Sequence, residues 1–361
     1  MSFRKHTARY KVWIFAPHLE TDDPNLQYYY DFTQSIAEFT KVFTEIRCEW
    51  EWVNVTLNNL GEVIARVKSH TGKHNIVLNL CDGDEINDVP GISVIRALDE
   101  HQITYTGSDA YFYGITTSKI TMKKAFSEHG VSMPGWVKLN GHVDKNLFSK
   151  VGNPIIVKPA ISAGSMGLTV KNVVSNVGEL KSILTAMHEG YHGWKLDEAG
   201  LLAEQYIAGR EFTTLLVGSF CHPDDITFYQ PVERVFHPSL PEKEKFLSFG
   251  RLWEIYDEES PMPDNGYLYV YDHVTCPDLT RRLRELSLHA FHAVQGKGYA
   301  RLDIRMDKDT EQLYVLEINA QCGLSEDEDY TSIGAILKAS NKTFTDLIVE
   351  VLDDALLRSP S

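Results

Sequence analysis

The sequence predicts an α/β protein with a parallel sheet near its N-terminus, and three observations carry that prediction. Strand-like and helix-like stretches alternate over roughly the first hundred residues, the pattern that builds a parallel sheet with helices on its faces. Two short apolar runs, Tyr10–Ala16 (YKVWIFA) and Asn75–Leu80 (NIVLNL), read as buried parallel strands. A chain of 361 residues that is 43% hydrophobic can bury a large core, and its length favours two or three domains over one.

Each element has its own justification. The first run stops at Pro17. Phe32, Ile36, Phe39 and Phe43 fall at helical spacing and predict a helix over Asp31–Phe43. Glu49–Leu57 alternates as a strand, Leu60–Val67 reads as a helix, and Asn75–Leu80 leads into the acidic loop Cys81–Asp88. A helix over Val89–His101 and a short strand over Thr104–Thr106 follow. Ligands of such sheets gather at the carboxyl ends of strands, so the loops Pro17–Asp23 and Cys81–Asp88 are ligand candidates, or else solvated acidic loops. From Thr116 the texture changes. Thr116–Gly130 predicts a helix closed by Gly130, Trp136–Leu139 a strand, and Asn153–Pro159 a strand carrying Lys158 near its end. The small-residue loop Ala160–Gly167 then joins it to an expected return strand, Leu168–Val170. Leu201–Gly218 reads as strand, turn, strand. Phe236–Pro263 is long, aromatic and charged, the texture of a mobile loop or lid. Asp278–Gly296 is an amphipathic helix, Ala300–Met306 and Gln312–Ile318 form a hairpin around a polar turn, and Thr343–Leu357 is a closing helix.

Composition excludes several classes of function. A formal net charge of -15 argues against nucleic acid or anionic membrane as the main partner, because both reward clustered Lys and Arg. No run of about 18 apolar residues marks a membrane span, and the N-terminus lacks the pattern of a signal peptide. The five cysteines are odd in number and scattered without C-x-x-C spacing, which fits reduced thiols in a cytoplasmic protein better than a disulfide framework or a zinc site. His289 and His292 lie three apart on a helix, with no third ligand near in sequence, and fit partly buried helix positions.

Chemistry concentrates in Arg301–Gly323, reading RLDIRMDKDTEQLYVLEINAQCG. Period-2 geometry places Arg301, Asp303 and Arg305 on one face of the first strand, and Glu317 and Asn319 on one face of the second. Two carboxylates and a carboxamide make a hard-oxygen set suited to Mg²⁺ beside substrate phosphates. Arg301 adds a fixed cation where an oxyanion or a transferring phosphoryl group would need it. The same residues also suit an ordinary polar hairpin. Upstream, Lys158 and the Gly/Ser loop can hold phosphates by a point charge and backbone N–H groups, though the loop is not a P-loop. Glu204 and Glu211 flank the apolar pair Tyr206–Ile207, an arrangement that can hold a flat base and its ribose. Two surface glutamates, one paired with Arg210, read equally well there.

In order along the chain, YTGSDAYFYGITTSKITMKKAF, IIVKPAISAGSMGLTV, LLAEQYIAGREFTTLLVG and YARLDIRMDKDTEQLYVLEINAQCGL resemble the ATP-grasp fold, and within it the D-alanine–D-alanine ligase group. The likeness runs from about residue 76 to 324; the first 75 residues match only in strand–helix alternation. It implies three α/β domains, 1–115, 116–208 and 209–361, with the nucleotide held between two sheets. It further implies that Lys119 and Lys158 hold ATP phosphates under the Ala163–Gly167 loop, including Gly164, Ser165 and Gly167. Glu204, Tyr206 and Ile207 would bracket adenine, and Glu211 would meet the ribose. Asp303, Glu317 and Asn319 would coordinate two Mg²⁺ ions, with Mn²⁺ able to substitute, while Arg301 and the Gly323 N–H would stabilise the oxyanion.

The expected reaction is ATP-dependent joining of a small carboxylate to an amine through an acyl phosphate, in a cytoplasmic enzyme for which the resemblance leaves a homodimer open. The departures from the family pattern fall on substrate recognition. A Gly-Gly loop followed by Glu is replaced by FAPHLETDDPN, where Glu20 or Asp22 is only a loose substitute. The loop Cys81–Asp88 differs from the family's His-Gly stretch, and Cys322 stands before Gly323 in place of Pro. After Gly323 the acids Glu326, Asp327, Glu328 and Asp329 replace a Ser–Leu pair, and they would repel an incoming carboxylate. On that ground the expected role is an amino-acid ligase of secondary metabolism, such as one acting on a mycosporine-like core. The alternative is a D-alanine–D-alanine ligase or a ligase of L-amino-acid dipeptides.

Overall fold

The computed structural model describes residues 3–20, 31–139, 146–162, 164–190, 194–252, 259, 262, 266–327 and 331–359. The first sheet is built on β1 (Tyr10–Pro17), whose eight residues are all buried. That burial on both faces explains why the run carries so little polar alternation. It pairs in parallel with β2 (Glu49–Val55) on one side and β3 (His74–Asn79) on the other, and β3 pairs with β4 (Thr104–Tyr105), giving the order β2-β1-β3-β4. The chain order reverses between β1 and β3, and in sheets of this type that switch opens a crevice at the carboxyl ends of the two strands. The loop beginning at Cys81 leaves from that point. Three helices flank the sheet: α1 (Thr33–Glu45), α2 (Leu60–Ser69) and α3 (Ile92–Glu100).

The second sheet is antiparallel, in the order β5-β8-β6-β7, with β5 Trp136–Leu139, β6 Ile155–Pro159, β7 Val173–Val174 and β8 Leu201–Gln205. The third is also antiparallel, in the order β12-β11-β9-β13-β14 with β10 (Thr227–Phe228) on β9. Its strands are β9 Gly209–Ser219, β11 Val232–Phe236, β12 Tyr269–His273, β13 Lys297–Asp307 and β14 Leu313–Ala320.

Helices α4 (Ala110–Thr117) and α5 (Lys119–His129) join the first sheet to the second. The sequence reading made one helix from Thr116; the structure breaks it at Ser118, whose backbone is extended. The C-cap at Gly130 is as expected, with φ 68°. The short α6 (Leu147–Val151) and α7 (Val177–Glu189) back the second sheet, and α8 (Phe249–Leu252) lies in the β11–β12 connection. The third sheet rests on α9 (Pro277–Ala293), and the chain ends in α10 (Ser332–Ala339) and α11 (Phe344–Arg358).

One expectation needs correction. Leu168–Val170 is not a strand. Thr169 caps a 3₁₀ turn over Val170–Asn172, and the buried Asn172 amide donates to the Val157 and Gly167 carbonyls, 2.7 and 3.1 Å away. The return strand starts only at Val173. Leu201–Gly218 is strand, turn, strand as expected, with β8 in the second sheet and β9 in the third, so residues 206–208 step between sheets.

Alternation along the third sheet separates core from site. Phe212 and Leu216 of β9 and Ala300, Leu302 and Ile304 of β13 share one apolar cluster with Phe291 of α9. The alternate residues face the other way. Near the end of the sheet they join the core shared with β1 and α11 through Leu215, Val217 and Tyr299. Further along they line a cleft.

Candidate active site

The cleft has an open volume of about 360 Å³ and takes its walls from all three sheets. The third sheet supplies three successive rungs of side chains. In the first, Glu211 stands between Arg234 and Arg305. In the second, Asp303 stands between Thr213 and Glu317. In the third, Arg301 stands between Leu215 and Asn319. A β-bulge after Asp303 sets the last two rungs. Continuing the register of Met306–Leu313 without it would put Asp303 against Leu316 and Arg301 against Ile318. One extra residue therefore turns Glu317 and Asn319 to the same side as Asp303.

Asp303 is held by three donors: Thr213 Oγ1 at 3.2 Å, Arg301 at 3.2 Å and Asn319 Nδ2 at 3.3 Å. Glu317 lies directly across from it and reaches Lys119 Nζ at 3.8 Å. Two carboxylates directly opposite on a sheet repel one another. A divalent cation between them turns that repulsion into coordination, and Asn319 adds a third oxygen ligand of the kind Mg²⁺ takes. The donor set fits the metal the sequence suggested. Arg301 is half-buried, and this desolvation works against its charge, but Asp303 beside it outweighs the effect and raises its pKa.

Opposite this face, Lys158 at the end of β6 and Lys119 at the start of α5 line the cleft. Lys119 Nζ donates to Ser162 Oγ at 3.1 Å and to its carbonyl at 3.2 Å. Burial pulls the pKa of Lys119 down, with Glu317 partly offsetting it. Gly164 and Ser165 line the same wall, with φ 53° and 62°. Ala163 lies outside the described residues. Gly167 does not line the cleft: at φ 74° a Cβ there would meet Leu196 at 2.8 Å, so its glycine serves the fold of the loop.

Glu204 is 1% exposed and forms ion pairs with Lys158 at 2.9 Å and Lys123 at 2.5 Å. Burial would raise its pKa, yet the two lysines hold it below the usual carboxylate range. Its carboxylate is thus committed to placing Lys158 rather than left open toward a base. Glu211 is placed in the same way. Burial acts to raise its pKa, Arg305 and Arg234 overcome that, and the net shift is downward. The Arg305 guanidinium also donates to the Ile207 carbonyl at 2.7 Å and to the Lys245 carbonyl, and lies 5.1 Å from the centre of the Tyr206 ring. The Tyr206 hydroxyl donates to the Glu242 carbonyl at 2.5 Å. Between these charged groups run Met122, Ile156, Ile207, Phe246, Leu247, Leu316 and Ile318, an apolar bed suited to a flat base.

The structure therefore brings Lys119, Lys158, Gly164, Ser165, Glu204, Tyr206, Ile207, Glu211, Arg301, Asp303, Glu317, Asn319 and Gly323 to one cleft. Lys245 and Arg251, cations of the stretch Phe236–Pro263 read as a lid, do not line it and pair instead with Glu242 and with Glu244. Glu20 does not line it either, and Asp22 lies outside the described residues. Sequence reasoning missed Lys123, Arg234 and the part played by Arg305, while Asp82, which lines the cleft, belongs to the loop Cys81–Asp88 named there as a ligand candidate. Lys123 had a usable signal, since it is four residues from Lys119 on one helix and so shares its face.

Comparison with known proteins follows the same outline. A family model described as D-ala D-ala ligase C-terminus matches residues 129–353. D-alanine–D-alanine ligase B of Chromobacterium violaceum is 26% identical over 258 residues, 71% of this chain and 73% of that protein. The crystal structure of a Bacillus anthracis D-alanine–D-alanine ligase complexed with ATP superposes with a TM-score of 0.65 at 19% identity, covering 96% of this chain and 97% of that one. The VanG D-Ala:D-Ser ligase from Enterococcus faecalis gives 0.67 at 14% identity, covering 96% and 99%. These likenesses establish the ATP-grasp fold.

Proposed function

The chain belongs to the D-ala D-ala ligase family and is an ATP-dependent ligase, and from that premise we propose that it joins two amino acids of the D-alanine type. The observation that carries this reading is the facing of the three rungs on the third sheet by Lys119 and Lys158 across one cleft. One wall suits phosphates and the other suits a metal and a reacting carboxylate.

In this reading the apolar bed takes the base, with Arg305 and Arg234 fixing Glu211 toward the ribose. Lys119 and Lys158 meet the phosphates, and Gly164 and Ser165 close over them. Asp303, Glu317 and Asn319 would hold Mg²⁺, two ions by the family pattern, whose charge would offset that of the phosphate oxygens. A carboxylate oxygen of the donor attacks the γ-phosphorus and ADP leaves. The amine of the acceptor then attacks the acyl carbon. Arg301 and the Gly323 N–H meet the oxyanion so formed. Phosphate departs with one oxygen of the original carboxylate, and the amine nitrogen loses its proton.

The mycosporine-type role in secondary metabolism has less to support it. It rests on the altered substrate loops, and among these on the acids after Gly323 repelling a carboxylate-bearing acceptor. Glu326 instead pairs with Lys41 of α1 at 2.7 Å, and Asp327 accepts from Gln34 of α1 at 2.7 Å. Neither lines the cleft; Glu328 and Asp329 lie outside the described residues. Thr331 and Ser332, at the start of α10, line that end instead.

The test is ADP release by purified protein with Mg²⁺–ATP and a panel of D- and L-amino acids, with product mass. D-alanine giving a product of two residues less water supports the reading. Release with another carboxylate and amine, or none with any, contradicts it.

A further inference from the structure

We propose that Glu38 of α1 is a positioning residue for the acceptor half of the reaction, holding the turn after Gly323 and, through it, the Gly323 N–H and the start of α10. The proposal rests on the ligase reading above and extends it to a carboxylate outside the cleft.

Glu38 is 7% exposed and does not line the cleft. Its partners come from both sides of the junction between α1 and the chain that leaves β14. Ser325, itself 1% exposed, donates its hydroxyl to Glu38 Oε1 at 2.7 Å, and the Glu326 N–H reaches Oε2 at 3.3 Å. Gln34, one turn earlier on α1, donates to Glu38 at 3.3 Å and to Asp327 at 2.7 Å. Among the described residues these donors are all neutral: a hydroxyl, a backbone N–H and a carboxamide. Taking a carboxylate out of water is costly, and an apolar side chain would fill the same space at lower cost. A carboxylate only accepts, so its two oxygens fix the direction from which the donors of the turn approach.

The contact is passed along the turn. Ser325 Oγ also accepts from the Asp327 N–H at 3.1 Å, and the Asp327 carbonyl accepts from the Thr331 N–H at 3.0 Å. The Thr331 hydroxyl donates back to the Ser325 carbonyl at 3.4 Å and accepts from the Ile333 N–H at 3.2 Å, which caps α10. Gly323 adjoins the same threonine, since a Cβ there would lie 3.9 Å from Thr331 Cγ2. Cys322, Leu324 and Ile333 share one apolar core with Phe39 and Val42 of α1, so these polar contacts sit on a packed base.

What this part of the chain presents to the cleft is Gly323, Thr331 and Ser332. The groups assigned to the nucleotide stand elsewhere: Lys119 on α5, Lys158 on β6 and Glu211 on β9. Loss of Glu38 therefore falls on the acceptor and the oxyanion and spares ATP, as expected of a support for one part of a site.

The experiment measures dipeptide formation by the full chain with Mg²⁺–ATP and D-alanine, fitted with one constant for the donor site and one for the acceptor site. Glu38→Gln keeps the size and turns one accepting oxygen into a donor. Ser325→Ala removes the hydroxyl and reads the same contact from the other side, whether or not the first variant folds. Each is expected to lower kcat/KM for the acceptor about ten-fold, as for one lost hydrogen bond to a charged group. The donor constant and the KM for ATP stay within about two-fold of wild type. The double variant loses little more than either single one, because the two share one contact. A KM for ATP that rises with the acceptor's would mean general support of the fold. Unchanged constants would mean no link to the site, and additive losses would mean separate actions. Each of these overturns the inference and leaves the ligase reading intact. No dipeptide from the wild-type protein overturns the ligase reading, and this inference with it.

Discussion

Asp303 of β13 and Glu317 of β14 stand directly opposite one another, and they do so only because of a bulge at Leu316. Paired carboxylates in that position are unfavourable unless a cation joins them. Mg²⁺–ATP should therefore raise the unfolding midpoint of the wild-type protein by several degrees, as a saturating ligand does. Glu317→Gln should keep less than half of that rise and lose about 10²-fold or more in ADP release. Differential scanning fluorimetry with and without Mg²⁺ reads the first effect; an equal rise in both proteins would remove Glu317 from the metal set.

Arg305 donates to Glu211 and to the Ile207 carbonyl, and in the proposed reading it acts on the nucleotide through them. Arg305→Met keeps the bulk and leaves Glu211 with Arg234 alone. The expected outcome is a KM for ATP raised about ten-fold with kcat within about two-fold, because this contact lies far from the reacting atoms. A fall in kcat at unchanged KM would contradict that role.

Two buried carboxylates set the acid limit of stability. Glu204 and Glu211 both have pKa values lowered in the folded protein. The unfolded chain then binds more protons than the folded one just below the ordinary glutamate value of about 4.3. Their contribution is present in full above that value and is lost as pH falls through the depressed folded values. Circular dichroism melts should show stability dropping from about pH 4.5 downward, and Glu204→Gln should shallow that drop. The same substitution should cost about 3–5 kcal/mol at neutral pH, since it leaves Lys123 and Lys158 buried without a counterion.

Arg301→Gln should lower kcat about 10²–10³-fold and leave the KM for ATP unchanged, the loss expected when one oxyanion donor is removed. A rise in that KM with kcat retained would place Arg301 on the nucleotide instead.

The parts of this site that were legible in the sequence are those set by short-range periodicity. Alternation along β13 put Arg301, Asp303 and Arg305 on one face, and the structure agrees. The pairing across the hairpin was not legible, since a one-residue bulge leaves no trace in the alternation of either strand. The step from β8 to β9 was hidden for a similar reason. Two apolar strands joined by a short turn look the same whether they pair or part into different sheets. Arg234 was missed because it meets the site only through strand pairing with Glu211, 23 residues away in sequence. The orientation of Glu326 and Asp327 was misjudged because their partners, Lys41 and Gln34, lie nearly three hundred residues away.

The measurement that tests the central claim most directly follows one oxygen atom. A D-alanine donor labelled with ¹⁸O in its carboxylate is turned over with Mg²⁺–ATP and an acceptor amino acid, and the released phosphate is weighed. If the carboxylate attacks the γ-phosphate in this cleft, each phosphate carries one ¹⁸O. Unlabelled phosphate would show that water cleaves the ATP and would contradict the account.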